Sequence, residues 1–263
     1  MRKVLVVDSG VGGLNVLDRL VELRRDIDYI YFADEGYCPY GTRTADEVVQ
    51  RVTGICRVFA NVVDGVVLAC NTASVCMQGT NGKNAFTDLQ ACFADNVEVI
   101  TTIQPTVESA QVATETGKIC LLATKLCIET DVYRNLFVKY GVECNAIDCG
   151  AFVTLAEKHV PVEVCRDVVR RTLDNSAYLY KGTDTVVLGC THFDYVADVV
   201  RDYFAASDVR LVSSSVATAN FAAKILPRHT DGQGHVEYLM SGNFAYVSTI
   251  CRQTGRNFKL FDI

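Results

Sequence analysis

Short apolar runs alternate with longer amphipathic stretches along the whole chain. Eight β-branched-rich runs predict strands at residues 3–7, 28–32, 65–69, 97–101, 119–123, 142–147, 185–188 and 209–212. Between them, apolar positions recur at helical spacing, which predicts helices over, for example, residues 14–23, 45–63, 128–140, 162–178 and 195–204. The central strands are apolar at successive positions, as strands buried on both faces are. This pattern predicts an α/β fold with parallel sheets.

One strand pattern occurs twice. Residues 64–72 read DGVVLACNT and residues 184–192 read DTVVLGCTH, so each apolar run ends in a cysteine, Cys70 or Cys190. In open parallel sheets, ligands bind beyond the carboxyl ends of the strands, where both thiols are expected. Two such sheets that face each other across a cleft would present two opposed thiols.

Two opposed thiols suit the inversion of a carbon centre by proton transfer. One thiol removes a proton from one face, the other donates on the opposite face, and the reverse reaction exchanges their roles. An ordinary cysteine pKa of about 8.5 can be tuned toward neutrality by its neighbours. A lone cysteine is usually a packing residue, but the repeated context favours chemistry here. His192, two residues after Cys190, could orient or protonate that thiol, or be a structural histidine.

Composition narrows the function classes. The 263 residues suggest one or two domains, and the net charge of −6 argues against a nucleic-acid partner. The first residues do not form a signal peptide, and no apolar stretch approaches the roughly 18 residues of a membrane span, so we expect a cytoplasmic protein without membrane partners. Twelve cysteines include no C-x-x-C pair, which predicts free thiols and no metal site.

The first predicted strand, at residues 3–7, is also followed by a polar, glycine-rich segment. The run VLVV is followed by Asp8-Ser9-Gly10-Val11-Gly12-Gly13, whose N–H groups suit a carboxylate, although Asp8-Ser9 could simply cap a helix. Asn15 stands where a dinucleotide fingerprint needs glycine, and Gly82-Lys83 lacks the upstream glycine of a phosphate loop, so neither motif indicates a nucleotide cofactor. The turn at residues 38–42, CPYGT, could clamp a ligand.

Together these segments resemble glutamate racemase, of the cofactor-independent aspartate/glutamate racemase superfamily. The resemblance spans most of the chain and is carried by D-S-G-V-G-G at 8–13, YFAD at 31–34, PYGT at 39–42, ACNTAS at 69–74, AT at 123–124, GCTH at 189–192 and, more weakly, LMSGNF at 239–244. It implies interconversion of L- and D-glutamate without cofactor or metal, which supplies D-glutamate for peptidoglycan.

The resemblance also implies roles for particular residues. Cys70 and Cys190 would be the acid–base thiols, supported by Asp8 and by His192, with Glu157 as a carboxylate near that histidine. The substrate contacts it implies are Ser9, Pro39, Tyr40, Gly41, Asn71, Thr72, Thr124 and Thr191. Five positions depart from the family pattern, Thr106, Cys127, Gly150, Asp194 and Ser213, and Cys127 could weaken a hydrogen bond to the substrate.

The fold implied is two pseudo-symmetric α/β domains with the active site in the cleft between them. Residues 1–97 and 210–263 would form the first domain, with Asp8 and Cys70, and residues 98–209 the second, with Cys190 and His192. The family is commonly dimeric, so a homodimer is expected.

Other functions stay open at this point. Aspartate racemase or another activity of the superfamily is the first alternative, although His192 stands where aspartate racemases tend to carry glutamate. A non-catalytic or moonlighting regulatory protein on the same fold is the second. A redox dithiol protein would need the two thiols within disulfide distance, which an amino acid bound between them prevents.

Overall fold

Two parallel sheets organise the part of the chain that the computed structural model describes, residues 3–79, 85–228 and 232–263. Strands β1 Lys3–Asp8, β2 Tyr29–Ala33, β3 Val63–Leu68, β4 Glu98–Thr101, β9 Val236–Met240 and β10 Lys259–Leu260 form the first sheet, in the order β10-β9-β2-β1-β3-β4. Strands β5 Lys118–Ala123, β6 Glu143–Asp148, β7 Thr185–Leu188 and β8 Arg210–Ser213 form the second, in the order β6-β5-β7-β8. We call the two sheets with their helices the first and second lobes. The Gly82-Lys83 segment lies outside the described residues.

Helices connect and cover the strands. They are α1 Leu14–Leu23, α2 Ala45–Phe59, α3 Asn71–Gln78, α4 Ala85–Gln90, α5 Ile103–Ala113, α6 Lys125–Glu129, α7 Val132–Lys139, α8 Gly150–Glu157, α9 Val162–Asp174, α10 Ala197–Tyr203, α11 Ser214–Ile225 and α12 Phe244–Thr254. Short 3-10 turns lie at Tyr40–Thr42, Ala177–Leu179 and Thr191–Val196. Among the described residues, no helix is long and apolar enough to cross a membrane.

The predicted α/β class with parallel sheets is confirmed. All eight predicted strands form, and helix α1 has the predicted bounds. The predicted helix 128–140 is instead two helices, α6 and α7, because Asp131 between them has a positive φ of 53° that a continuous helix does not allow. Strands β9 and β10 were not predicted.

The sheet memberships differ from the expected domain boundaries. Strand β4 pairs with β3 and so belongs to the first sheet, although residue 98 was expected to open the second domain. Strand β8 pairs with β7 in the second sheet, although residue 210 was expected to return to the first domain. The chain therefore passes from the first sheet to the second after Thr101 and returns to the first after Ser213, because hydrogen bonding to a neighbour decides which sheet a strand joins.

Register places the loops of each sheet at a common edge. Asp8 pairs with Ala33, and Val7 pairs with Leu68. The segments after β1, β2 and β3 therefore leave the first sheet side by side. In the second sheet Leu122 pairs with Leu188, which brings the segments after β5 and β7 together.

Candidate active site

The two cysteine segments meet at one cavity of about 430 Å³. Cys70 and Cys190 each lie two residues beyond the end of their strand, and both line this cavity. The other predicted site residues that line it are Ser9, Pro39, Tyr40, Gly41, Thr72, Thr124 and His192. The volume falls within the range of small-molecule sites.

Cys70 lies at the amino end of helix α3. Its thiol accepts the Ala73 backbone N–H at 3.5 Å and donates to the Ser9 hydroxyl at 3.6 Å. Burial raises the pKa of Cys70 well above its ordinary value, and the nearby charge of Asp8 adds to this effect. Cys70 is therefore a thiol that resists ionisation and forms a strong base once it has lost its proton.

Cys190 is backed by a histidine and a carboxylate. Its sulfur lies 3.8 Å from His192 Nδ1, while His192 Nε2 makes a short hydrogen bond to Glu157 Oε1. Burial lowers the pKa of His192, but the bonds to Cys190 and Glu157 outweigh it, so the pKa is raised well above its usual value. Burial raises the pKa of Glu157, and its bond to His192 more than reverses this, which leaves the pKa lowered.

This chain of contacts can move a proton. When Glu157 accepts the Nε2–H of His192, the Nδ1 lone pair points at the thiol and can accept its proton. The imidazolium formed then lies between two groups that can carry negative charge, Cys190 and Glu157. Cys190 therefore has a proton acceptor beside it, whereas Cys70 donates to a hydroxyl and accepts from a backbone amide.

Within the described part of the chain, Asp8 neither lines the cavity nor forms a hydrogen bond with Cys70. Its carboxylate accepts hydrogen bonds from the Gly10 N–H at 2.8 Å and the Thr191 hydroxyl at 3.2 Å. It is fully buried, and burial raises its pKa although the charge of His192 opposes this. Asp8 thus ties the two lobes together through Thr191 and acts on Cys70 through its charge.

Two glycines of D-S-G-V-G-G, Gly10 and Gly12, are explained by side chains packed closely against them, including His192 and Glu157 of the second lobe. A Cβ at Gly12 would lie 2.5 Å from His192 Nδ1. One at Gly10 would lie 2.5 Å from Glu157 Oε1 and 2.8 Å from Glu35 Oε1. No side chain fits at either position while the histidine and the carboxylates keep their places. The sequence pattern predicts that this segment is a turn whose N–H groups could bind an anion, and the structure adds the packing role of its glycines.

Asn71 and Thr191 lie beside the cavity but do not line it. The Asn71 amide donates to the Tyr133 hydroxyl at 2.7 Å and accepts from the Ser214 hydroxyl at 3.1 Å. Thr191 is held by Asp8 through its hydroxyl and by the Asn15 amide through its carbonyl, at 3.1 Å. Both side chains therefore position the cysteine segments in this structure.

Three side chains meet around the Thr72 hydroxyl. The Thr72 hydroxyl lies 3.1 Å from the Thr124 hydroxyl and 3.7 Å from the Cys127 sulfur. Cys127 is one of the departures from the family pattern, and it makes a weak hydrogen bond to the hydroxyl that the resemblance assigns to the substrate. Thr72 and Thr124 still line the cavity.

Tyr40 is fixed by a buried ionic network that the sequence did not reveal. Its hydroxyl donates to Asp34 Oδ2 at 2.7 Å, and Arg51 binds both oxygens of Asp34 at 2.8 and 2.6 Å. The Ser241 hydroxyl donates to the same carboxylate at 2.6 Å. Because the hydroxyl of Tyr40 is already bonded, we expect its ring to form the wall of the cavity.

Further residues line the cavity that were not among the predicted site residues, although Thr42 belongs to the CPYGT turn and Gly150 is one of the departures from the family pattern. They are Thr42, Arg43, Lys125, Leu126, Glu129, Asp148, Gly150, Val153 and Thr154. Arg43 is turned toward Tyr37, with its guanidinium 4.2 Å from the ring centroid and one N–H donating to the Tyr37 carbonyl at 3.4 Å. Among the described residues, Glu35, Cys38 and Glu157 form a group whose oxygen and sulfur atoms are close enough to hold a metal ion.

The chain is similar to proteins of known identity in both sequence and structure. No family model matches the chain. Over 254 residues the chain is 32% identical to the glutamate racemase of Herpetosiphon aurantiacus, which covers 92% of this chain and 94% of that protein. The structure of Thermus thermophilus glutamate racemase with β-chloro-D-alanine matches with a TM-score of 0.82 at 26% identity, over 100% of this chain and 96% of the other. The structure of Escherichia coli glutamate racemase with L-glutamate and the activator UDP-MurNAc-ala matches with a TM-score of 0.78 at 25% identity. The match covers 99% of this chain and 98% of the other.

Proposed function

The chain belongs to the glutamate racemase family, and we propose that Cys70 and Cys190 carry out its reaction as a pair of opposed acid–base groups. The reaction interconverts L-glutamate and D-glutamate, so the protein is an isomerase. The observation that supports our proposal is that both thiols line one cavity from matched positions on two different sheets.

Each turnover uses one thiol as base and the other as acid. From L-glutamate, Cys190 as thiolate takes the Cα proton, and the Cys70 S–H returns a proton to the opposite face. From D-glutamate the roles are exchanged. The assignment of enantiomers to thiols follows the family resemblance, while the need for two groups is geometric, because one base reaches only one face of Cα.

His192 and Glu157 would serve the Cys190 half of the reaction. The histidine accepts the thiol proton and leaves a thiolate, and Glu157 stabilises the imidazolium that results. Asp8 would serve the Cys70 half by keeping that thiol basic, since its negative charge disfavours the thiolate. In this proposal the reaction needs no cofactor, because the proton is transferred between side chains and Cα alone.

Neutral donors would hold the carboxylates of the substrate. Three hydroxyl-bearing residues, Ser9, Thr72 and Thr124, line the cavity, and Cys70 lies at the amino end of helix α3. Arg43 also lines the cavity but is engaged by Tyr37. Neutral donors can bind an anion without adding a positive charge that would trap a thiolate.

The cellular setting is part of the proposal. D-Glutamate made by this reaction would supply peptidoglycan synthesis, which takes place from cytoplasmic precursors, and the enzyme would act in the cytoplasm as a homodimer. Light scattering of the purified protein at several concentrations tests the last point, since a monomeric mass throughout would contradict it.

Solvent isotope incorporation tests the two-thiol proposal. In deuterated water, the product enantiomer should carry deuterium at Cα, while substrate recovered at early times should carry little. A single shared base would instead return part of the substrate's own proton to the product. Product largely free of deuterium in the initial phase would contradict the proposal.

Circular dichroism of the reaction mixture separates the remaining alternatives. Loss of ellipticity with L- or D-glutamate, and much slower loss with L- or D-aspartate, is the expected result. Preference for aspartate would favour the alternative superfamily activity. No turnover of either amino acid by correctly folded protein would favour a regulatory role.

A further inference from the structure

Three side chains of the types that bind metal ions come together where the two lobes meet. Glu35 lies two residues after strand β2 of the first lobe, Cys38 follows three residues later, and Glu157 ends helix α8 of the second lobe. Their ligand atoms all lie within 4.8 Å of one another, and Cys38 Sγ is 3.9 Å from Glu157 Oε1. None of the three lines the cavity that holds Cys70 and Cys190.

The carboxylate of Glu35 is buried without a hydrogen bond. The residue is 6% exposed, and neither oxygen has a partner of hydrogen-bonding geometry among the described residues. The same holds for Glu157 Oε2. An oxygen of each carboxylate lies within 3 Å of the position that a Cβ at Gly10 would take, so the two carboxylates are directed at the same place. Such unsatisfied buried oxygens are rare and call for a ligand.

The charges around this group are unbalanced. Burial and the neighbouring carboxylates of Glu157 and Asp8 raise the pKa of Glu35 well above its ordinary value. The charge of His192 and the nearby Tyr246 hydroxyl oppose this only in part. Burying carboxylates in excess of positive charge is costly. A divalent cation would offset this excess.

We propose that Glu35, Cys38 and Glu157 bind a zinc-like divalent cation. Two carboxylates and a thiolate are the borderline donor set that Zn²⁺ accepts, with water completing a tetrahedron. Zinc bonds of about 2.3 Å to sulfur and about 2.0 Å to oxygen place sulfur and oxygen ligands about 3.5 Å apart. The Cys38–Glu157 separation of 3.9 Å needs only a small adjustment. Spacing along the chain does not reveal the site, because its ligands come from both lobes.

A bound cation would inhibit racemisation. Glu157 is the partner of His192, and His192 is the neighbour of Cys190. A cation bound to Glu157 withdraws electron density from the carboxylate, which then accepts a weaker hydrogen bond from His192. The cation also adds positive charge nearby, and both effects disfavour the imidazolium. This consequence rests on the proposed function, whereas binding of the cation does not.

Cobalt binding tests the site directly. The experiment uses full-length protein carrying Cys70→Ser and Cys190→Ser, so that the cavity thiols cannot contribute. Co²⁺ should produce a near-ultraviolet sulfur-to-cobalt absorption band, and Zn²⁺ should displace it. Adding Cys38→Ser should abolish the band, while Cys92→Ser, another partly exposed cysteine, should leave it unchanged. Glu35→Gln should weaken the affinity for Zn²⁺ about tenfold or more.

Activity measurements complete the test in protein with both cavity thiols. Zn²⁺ should inhibit racemisation reversibly, and Glu35→Gln should raise the concentration needed about tenfold while metal-free activity is retained. Circular dichroism of each variant confirms folding. A cobalt band that survives Cys38→Ser, or Zn²⁺ affinity unchanged by Glu35→Gln, would overturn the site. Binding without inhibition would overturn only its link to His192.

Discussion

The two cysteines share a sequence pattern but not an environment. Cys190 has His192 and Glu157 behind it, so a proton acceptor is built into its side of the cavity. Cys70 has the Ser9 hydroxyl, the Ala73 N–H and the charge of Asp8. The same strand pattern thus ends in two different surroundings, although the reaction proposed for the two thiols would handle amino acids that are mirror images of each other.

This asymmetry has a thermodynamic limit. L- and D-glutamate have equal free energies in water, so kcat/KM must be equal in both directions for every variant. A substitution that weakens proton transfer at Cys190 therefore cannot lower kcat/KM in one direction alone. It must show itself instead in isotope effects, in pH dependence and in the separate values of kcat and KM.

Removal of either thiol should have the largest effect. Cys70→Ser and Cys190→Ser keep the shape of the cavity, but a serine hydroxyl is too weak an acid to give a base near neutral pH. We expect each variant to lose racemisation about 10³-fold or more in both directions, measured by circular dichroism. Rapid racemisation by Cys190→Ser would refute the two-thiol mechanism and reduce the repeat to a matter of folding.

Replacement of His192 should have the second-largest effect on racemisation. His192→Asn removes the proton acceptor of Cys190, and we expect kcat/KM to fall about 10²-fold. With Cα-deuterated substrates, the isotope effect should grow more for L-glutamate than for D-glutamate, because the Cys190 step becomes slower. Glu157→Gln should show the same pattern with a smaller loss. Equal growth for both enantiomers would mean that His192 does not act on one thiol.

Substrate binding should depend on hydroxyls more than on the arginine. Ser9→Ala combined with Thr72→Ala removes two donors from the cavity, and we expect KM to rise about 30-fold, on the basis of roughly 1 kcal/mol per hydrogen bond. Arg43→Ala should change KM only a few-fold, because Tyr37 already engages the guanidinium. An arginine variant that lost binding as completely as the double variant would contradict the neutral-donor proposal.

Asp8 should control the ionisation of Cys70. The carboxylate raises the pKa of this thiol, so Asp8→Asn should lower it and give more thiolate at a given pH. We expect iodoacetamide to alkylate Cys70 several-fold faster at pH 7 in the variant, and the pH midpoint of alkylation to move down. Cys127, which is also buried, is the internal reference in the same mass spectra. A midpoint that moved up would show that Asp8 favours the thiolate.

Much of this architecture could be predicted from the chain alone. Strand positions followed from apolar runs, because a strand buried on both faces needs them. The repeat placed Cys70 and Cys190 just beyond strand ends, and both line the cavity. Membership of a sheet could not be derived in this way, because β4 and β8 are short apolar runs that could belong to either lobe, and only their pairing decides between the two.

Contacts between the lobes were the other part that sequence could not supply. Nothing near Glu35 in the chain indicates that its carboxylate meets Glu157, which is more than a hundred positions away. The glycines at 10 and 12 were visible as a turn, but the reason that no side chain fits there is His192 and Glu157 from the opposite lobe. Asn71 and Thr191 were placed by motif, and only the structure shows that their side chains have other partners.

The smallest expected effect concerns the strand that carries Cys190. Asp184, immediately before β7, accepts hydrogen bonds from the Thr114 hydroxyl at 2.6 Å and from the Glu115 and Thr116 N–H groups, each at 2.7 Å. Burial opposes ionisation of Asp184, but these bonds outweigh it and lower its pKa below the ordinary value. Because the pKa is lowered on folding, the stabilisation is present above about pH 4, the ordinary aspartate value, and is lost as the pH falls through the folded value.

Asp184→Asn should therefore reduce the free energy of unfolding by about 1 kcal/mol at pH 7, after allowance for solvent screening, with a shift in Tm of about 2–4 °C. The difference from the unsubstituted protein should shrink below about pH 4, and Asp95→Asn, at an exposed position, should show no such loss. A variant as stable at pH 7 as the unsubstituted protein would mean that the start of this strand is held by its sheet neighbours alone, and that the Cys190 side owes its position to β5 and β8.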